Sequence, residues 1–218
     1  MNTGFHAAGL NWGSAIIATT LVFRVLVLPL NVSLVRNTAR LYLIRNQIAE
    51  LRHTMYKGNP DQQVEAAREF FQVLRKGKAH PFKNLVSPLM FPPIFLSLFG
   101  AVHGMCTSMP ELKTGGALWF TDLTLPDETG VLPVISALSW LATIELASGK
   151  AFHMPAWMLS ATRLLAVACI PITEPLPAGV FMFWLTSNFF AMGRAAALRI
   201  PRVARFFGIP PVNRPNLH

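Results

Sequence analysis

Five stretches of this chain run for about twenty residues with almost no charge: about 12–35, 84–106, 131–149, 156–173 and 176–193. An α-helix rises about 1.5 Å per residue, so roughly 20 apolar residues cross a hydrocarbon core about 30 Å thick. The second stretch, "LVSPLMFPPIFLSLFGAVHGM", holds no Asp, Glu, Lys or Arg. Its Pro92 and Pro93 free backbone carbonyls one turn earlier and predict a bend. No alternating ten-residue segments recur, which argues against membrane strands. Charged residues make up 13% of the chain, about half the share of a soluble globular protein. The sequence therefore predicts an all-α integral membrane protein with five transmembrane helices.

The segments between the stretches set an orientation. Residues 36–84 carry ten Lys or Arg against four acids, whereas residues 106–130 carry one Lys against four acids. Lys150 and His153 follow the third stretch, only Glu174 precedes the fifth, and residues 194–218 hold five Arg and no acid. Positive charge alternates with each crossing and gathers on the inner side, which predicts an outer N-terminus and an inner C-terminus. The front, "MNTGFHAAGLNWG", lacks a basic region. The first stretch is thus expected to be its own targeting signal or to follow a removed presequence.

Residues 36–83 read as a helical hairpin on the inner side. Leu41, Ile44, Ile48, Leu51 and Met55 recur at spacings of three and four, as do Val64, Ala67, Phe71 and Leu74. Between the two sets lies "KGNPD", where Gly58, Asn59 and Pro60 form a turn and Asp61 is placed to cap the next helix. Such a hairpin is either a solvated connector or a mobile docking surface. On the outer side, "TGGALWFTDLTLPDETGVLP" offers two glycines for close approach to the membrane, with Trp119 and Phe120 as interfacial anchors.

Catalytic patterns are not found. The six histidines, at 6, 53, 80, 103, 153 and 218, have no metal-ligand spacing, and there is no G-x-S-x-G elbow or phosphate-binding glycine loop. No enzyme activity, cofactor or metal is expected. Cys106 and Cys169 form no C-x-x-C pair and read as free, packed thiols. Ser97, Ser139, Thr143, Thr186, Ser187 and Asn188 are suited to bonding helices together.

Arg24 is different. It sits within the first stretch about 12 residues, or roughly 18 Å, from the inner end, beyond the reach of its own side chain. No acid lies at its depth, since Glu145 and Glu174 are both near the ends of their stretches. A guanidinium at mid-bilayer costs roughly 2.5–3.5 kcal/mol on insertion scales unless water or a partner reaches it. Arg24 therefore argues for a wet groove open to the inner side and to lipid, with Thr20 one turn before it. Arg163, near the inner start of the fourth stretch, can snorkel or meet Glu145.

Four segments, in this order, resemble the YidC/Oxa/Alb insertases: "WGSAIIATTLVFRVLVLPL", "HPFKNLVSPLMFPPIFLSLFGAVHGM", "TGGALWFTDLTLPDETGVLP" and "LPAGVFMFWLTSNFFAMGRAAALRIPRV". The chain is most similar to the mitochondrial Oxa type, through "HGM…TGGALWF" and "LRIPRVARFFGIP". The resemblance implies a five-helix core with an inner hairpin, in the mitochondrial inner membrane or its bacterial or thylakoid counterpart. It implies that Arg24 is the groove arginine and that Trp184, Thr186 and Asn188 lie in a "YWLTSN"-like motif where Phe183 replaces the usual Tyr; Thr20, Ser97 and Thr143 are read as further polar groups of the client groove. Nascent or newly imported membrane proteins are the implied clients.

The Oxa type usually carries a long basic extension that binds the ribosome, and the sequence stops soon after "GIPPVNRPNLH". Residues 194–218 are read as a short basic C-terminal tail, whose Arg194, Arg199, Arg202 and Arg205 are accordingly read as contacts for anionic lipid ahead of ribosomal RNA. Two rival readings remain: a cytochrome-oxidase assembly factor, which "HPFK" favours, and a small channel.

Overall fold

The structure is a computed structural model that describes residues 11–147 and 156–211. Lys150, His153 and Arg214, used above to argue orientation, lie outside the described residues. Among the described residues eight α-helices follow one another: α1 (Trp12–Leu43), α2 (Arg45–Lys57), α3 (Pro60–Lys76), α4 (Lys83–Ser108), α5 (Val131–Ala147), α6 (Ala156–Thr173), α7 (Ala178–Arg199) and α8 (Pro201–Phe206). A 3-10 turn spans Pro110–Thr114. Among the described residues there is no β-strand beyond two isolated bridges. The all-α expectation holds.

Each apolar stretch forms a helix, but two helices outrun theirs. α1 continues past residue 35 to Leu43, because the intervening residues contain no glycine or proline to stop it. α7 continues past residue 193 to Arg199 through "GRAAALR", whose alanines and arginines favour helix. Arg194 and Arg199 thus belong to a helix, whereas the sequence had suggested a tail.

The described residues fall into two units. The first comprises 11–28, 91–147 and 156–196. Its core gathers Ile16, Leu112, Leu123, Leu132, Phe181 and Phe183, all buried, around Cys106. Phe95 packs against Phe183 and Trp184, with ring centroids 5.4 and 6.0 Å away. Gly179 admits the sulfur of Cys106, since a Cβ there would stand 2.6 Å from Sγ. Both cysteines are free.

The loop before α5 straps the start of α7. Ala178 donates its N–H to the Leu125 carbonyl at 2.8 Å, and Gly179 donates to Leu123 at 3.1 Å. Asp127, which is buried, fixes the other end of that loop. Its carboxylate accepts from the N–H of Leu132 at 2.7 Å, from Thr129 Oγ1 at 2.6 Å and from the Trp119 indole at 3.1 Å. Burial alone would raise its pKa, but these donors outweigh it and hold the carboxyl below its ordinary range. Both glycines of this loop are used in close packing within the fold: a Cβ on Gly115 would stand 2.8 Å from Trp12 Cβ, and one on Gly116 1.8 Å from the Phe120 carbonyl oxygen.

The second unit comprises 29–90 and 197–211. α2 and α3 pack on each other as the expected hairpin. Asn59, rather than Asp61, is the N-cap of α3, and its backbone N–H donates to Gln62 Oε1 at 3.0 Å in a capping box. Leu41, Ile44, Ile48 and Leu51 are half-buried, as their spacing suggested. On α3 the packed stripe is rotated. Ala66 and Leu74 are buried, whereas Val64 and Phe71 are 55% and 68% exposed. Two apolar stripes, 64-67-71-74 and 66-70-73-74, lie side by side on this helix, and spacing alone does not choose between them.

The hairpin base is clasped by the far end of α1. Asn37 donates to the His80 carbonyl at 2.9 Å and accepts from the His80 N–H at 2.8 Å. Arg40 Nη1 donates to the Lys78 carbonyl at 3.1 Å, and Arg36 Nε donates to the Phe207 carbonyl at 2.8 Å. Guanidinium groups thus serve carbonyls left free where helices end.

Candidate functional site

The candidate groove residues lie in the first unit, as does Arg194, whereas the hairpin residues and Arg199, Arg202 and Arg205 belong to the second; the groove residues separate by what their polar atoms do. Thr20, Ser97 and Thr186 each donate to the carbonyl four residues earlier, at 2.7, 2.8 and 2.6 Å. Their hydroxyl protons are therefore used within their own helices. Thr20 is buried, Thr186 half-buried and Ser97 exposed.

Thr143 and Asn188 meet in a knot between α5 and α7. The Asn188 amide donates to Ser139 Oγ at 2.8 Å, Ser139 Oγ donates to the Ser136 carbonyl at 2.8 Å, and Thr143 Oγ1 reaches the Asn188 carbonyl at 3.3 Å. Asn188, Ser139 and Ser136 are all buried there. Ser136 Oγ and Ser187 Oγ are buried with no bonding partner. Trp184 stands apart from this knot, stacked on Phe181 with ring centroids 6.4 Å apart.

Arg24 is half-buried on α1, between Val22, Val25 and Leu26, which are 61%, 55% and 71% exposed. No carboxylate among the described residues pairs with it. Its electrostatic neighbour is a second arginine, Arg194 of α7, close enough to repel it and likewise half-buried. Arg163 behaves differently: its Nε donates to Glu145 at 2.9 Å in the anticipated ion pair. Burial of Arg194 beside Arg24 was not anticipated, although the run of alanines and arginines that follows Gly193 was the available signal.

This geometry is an apolar helical bundle with a rigid polar knot on one side and two unneutralised guanidinium groups on another. The chain matches the family described as 60Kd inner membrane protein over residues 4–202. It belongs to that family. It is 37% identical over 209 residues to the mitochondrial inner membrane protein OXA1L of Bos taurus, covering 93% of this chain and 47% of that protein. Against the human cytochrome c oxidase assembly protein COX18 it is 33% identical over 62% of this chain and 44% of that protein. Against the membrane protein insertase YidC of Francisella tularensis subsp. novicida it is 26% identical over 87% of this chain and 32% of that protein. The chain thus spans about half the length, or less, of these family members.

Proposed function

We propose that this chain is the membrane-embedded core of a protein insertase of the mitochondrial inner membrane. In this reading α1, α4, α5, α6 and α7 cross the bilayer, with the N-terminus outside and the hairpin and C-terminus inside. The exposed apolar side chains support a lipid-facing surface: Val22 and Leu26 on α1, Leu96 on α4, Leu138 on α5, and Leu164 and Val167 on α6. α1 has an 18-residue window of mean hydropathy 2.0 that is only 22% buried, which is unlike the core helix of a soluble protein.

The observation that carries the proposal is Arg24. A charge so placed, next to Arg194 and without a carboxylate, needs water or an anion to solvate it. A client's acidic flank meets that need as it enters from the inner side. The client's apolar part then slides between helices into lipid, and its own burial supplies the driving free energy. Thr20, Ser97, Trp184 and Thr186 border this path, while Thr143 and Asn188 keep α5 and α7 together beside it. Clients are newly made or imported membrane proteins, with no cofactor involved.

The test is insertion of a single-span client with an acidic outer tail into liposomes that contain the protein. Insertion is expected to fall about fivefold in Arg24→Ala, the effect of losing about 1 kcal/mol of attraction, and to be largely kept in Arg24→Lys. Equal insertion by all three proteins would overturn the groove mechanism. A second reading rests on the similarity to COX18: a clamp that assembles one respiratory subunit without moving it. That reading requires Arg24→Ala to be tolerated.

A further inference from the structure

The second unit contains a pocket of about 430 Å³ bordered by Arg40 and Arg205 and floored by Leu43, Ile44, Ile209 and Pro210. We propose that it is a binding site for the phosphate head of an anionic phospholipid, whose first methylenes lie on the apolar floor.

Three features point to this occupant. None of the residues around the pocket is acidic, while Arg36 adds a third positive charge close to Gly208. Among the described residues, the hydrogen bonds of the two bordering arginines engage Arg40 Nη1 and Arg205 Nε, which leaves forked N–H donors of the kind that suits a phosphate. The floor offers aliphatic side chains and a proline, which suit methylenes and give a nucleobase no aromatic plane to stack on.

The site also sits where such a lipid would be available. It adjoins the end of the long apolar helix α1, which the membrane reading above places at the inner surface, and the proposal rests on that reading. Leu43 and Phe206, the latter next in sequence to Arg205, are 52% and 84% exposed, as anchors at a headgroup boundary would be. Ile44 lies between α1 and α2, and Gly77 follows α3, so a lipid here touches both ends of the hairpin. The site thus makes the setting of the hairpin responsive to the charge of the inner leaflet.

The test uses the full chain in nanodiscs of phosphatidylcholine with increasing phosphatidylglycerol, and native mass spectrometry to count retained lipids. Wild type is expected to retain phosphatidylglycerol selectively, and Arg40→Gln/Arg205→Gln to lose about tenfold in apparent affinity. Because Arg40 also holds the hairpin base, Leu43→Glu provides a second arm. It leaves both arginines in place, sets an acid at the rim, and is expected to abolish the preference for phosphatidylglycerol. Unchanged retention by both variants would overturn the proposal. Displacement by inorganic phosphate at equal concentration would also overturn it, since the apolar floor would then contribute nothing, as would tighter binding of a short RNA. These readouts do not depend on insertion activity, so they can fail while the insertase reading stands, and the reverse.

Discussion

The two units are both helical, yet they are held by different means. In the first, large aromatic side chains interlock, and several hydroxyls bond back within their own helix while Asn188 and Ser139 close a knot between α5 and α7. In the second, α2 has no buried residue and α3 has only Ala66 and Leu74, while arginine and asparagine side chains holding backbone carbonyls secure the hairpin base. Packing strength rises with apolar area buried, whereas side-chain clasps of this kind are individually worth about 1 kcal/mol. Local opening is therefore expected to cost less in the second unit than in the first.

Substitutions can break this contrast or sharpen it. The largest effect is expected from Phe181→Ala, which empties the fully buried centre of the first unit and should cost about 3–5 kcal/mol, read as a lower unfolding midpoint in detergent. An effect below about 1 kcal/mol would mean that the aromatic core is not what holds that unit. Next comes Asp127→Asn, which weakens the capping of α5 and the tie to Trp119 and should cost about 1–3 kcal/mol at neutral pH. The pH dependence has a definite sign. The folded pKa of Asp127 is depressed, so its contribution is full above the ordinary carboxylate range and disappears as pH falls through the folded value. Wild type should therefore lose stability on acidification, and the Asn variant should lose less.

In the second unit, Asn59→Ala removes the capping-box residue and should cost about 1 kcal/mol. Hydrogen exchange should locate that loss within α2 and α3, with protection in α5 and α7 unchanged. Exchange that speeds up in both units would show that they unfold together and would undo the distinction. Phe71→Ser, at an exposed position, is expected to change stability by no more than about 0.5 kcal/mol. A larger loss would return Phe71 to the packed face that its spacing first suggested.

What could be read in advance follows from which physical signals are local. A run without charge declares a helix by itself, so every apolar stretch appeared as one, and "GNP" declared the turn through its own backbone chemistry. The end of a helix is less legible when no glycine or proline marks it, as with α1 beyond residue 35, or when the helix runs on through a glycine, as α7 does at Gly193. Arg194 was consequently assigned to a tail. Asn188 could be recognised as helix glue, but its bond to Ser139 joins residues far apart in sequence, and no local pattern encodes that pairing. Phe71 is exposed despite its spacing for the same reason: facing is settled by the partner helix, not by the stripe.

The strap that joins Leu123 and Leu125 to the start of α7 bears on how this protein is itself made. Its core brings Ile16, near one end of the described chain, together with Phe181 and Phe183, near the other. Such contacts form only after the intervening chain is present, and contacts of long sequence separation are slow to close. While the ribosome is still working through the middle of the message, Ile16 and Leu112 have none of their final neighbours from α7. On the membrane reading proposed above, the leading helices of the newborn protein wait in the bilayer until then, half-assembled, in the same exposed condition as the clients it is proposed to serve.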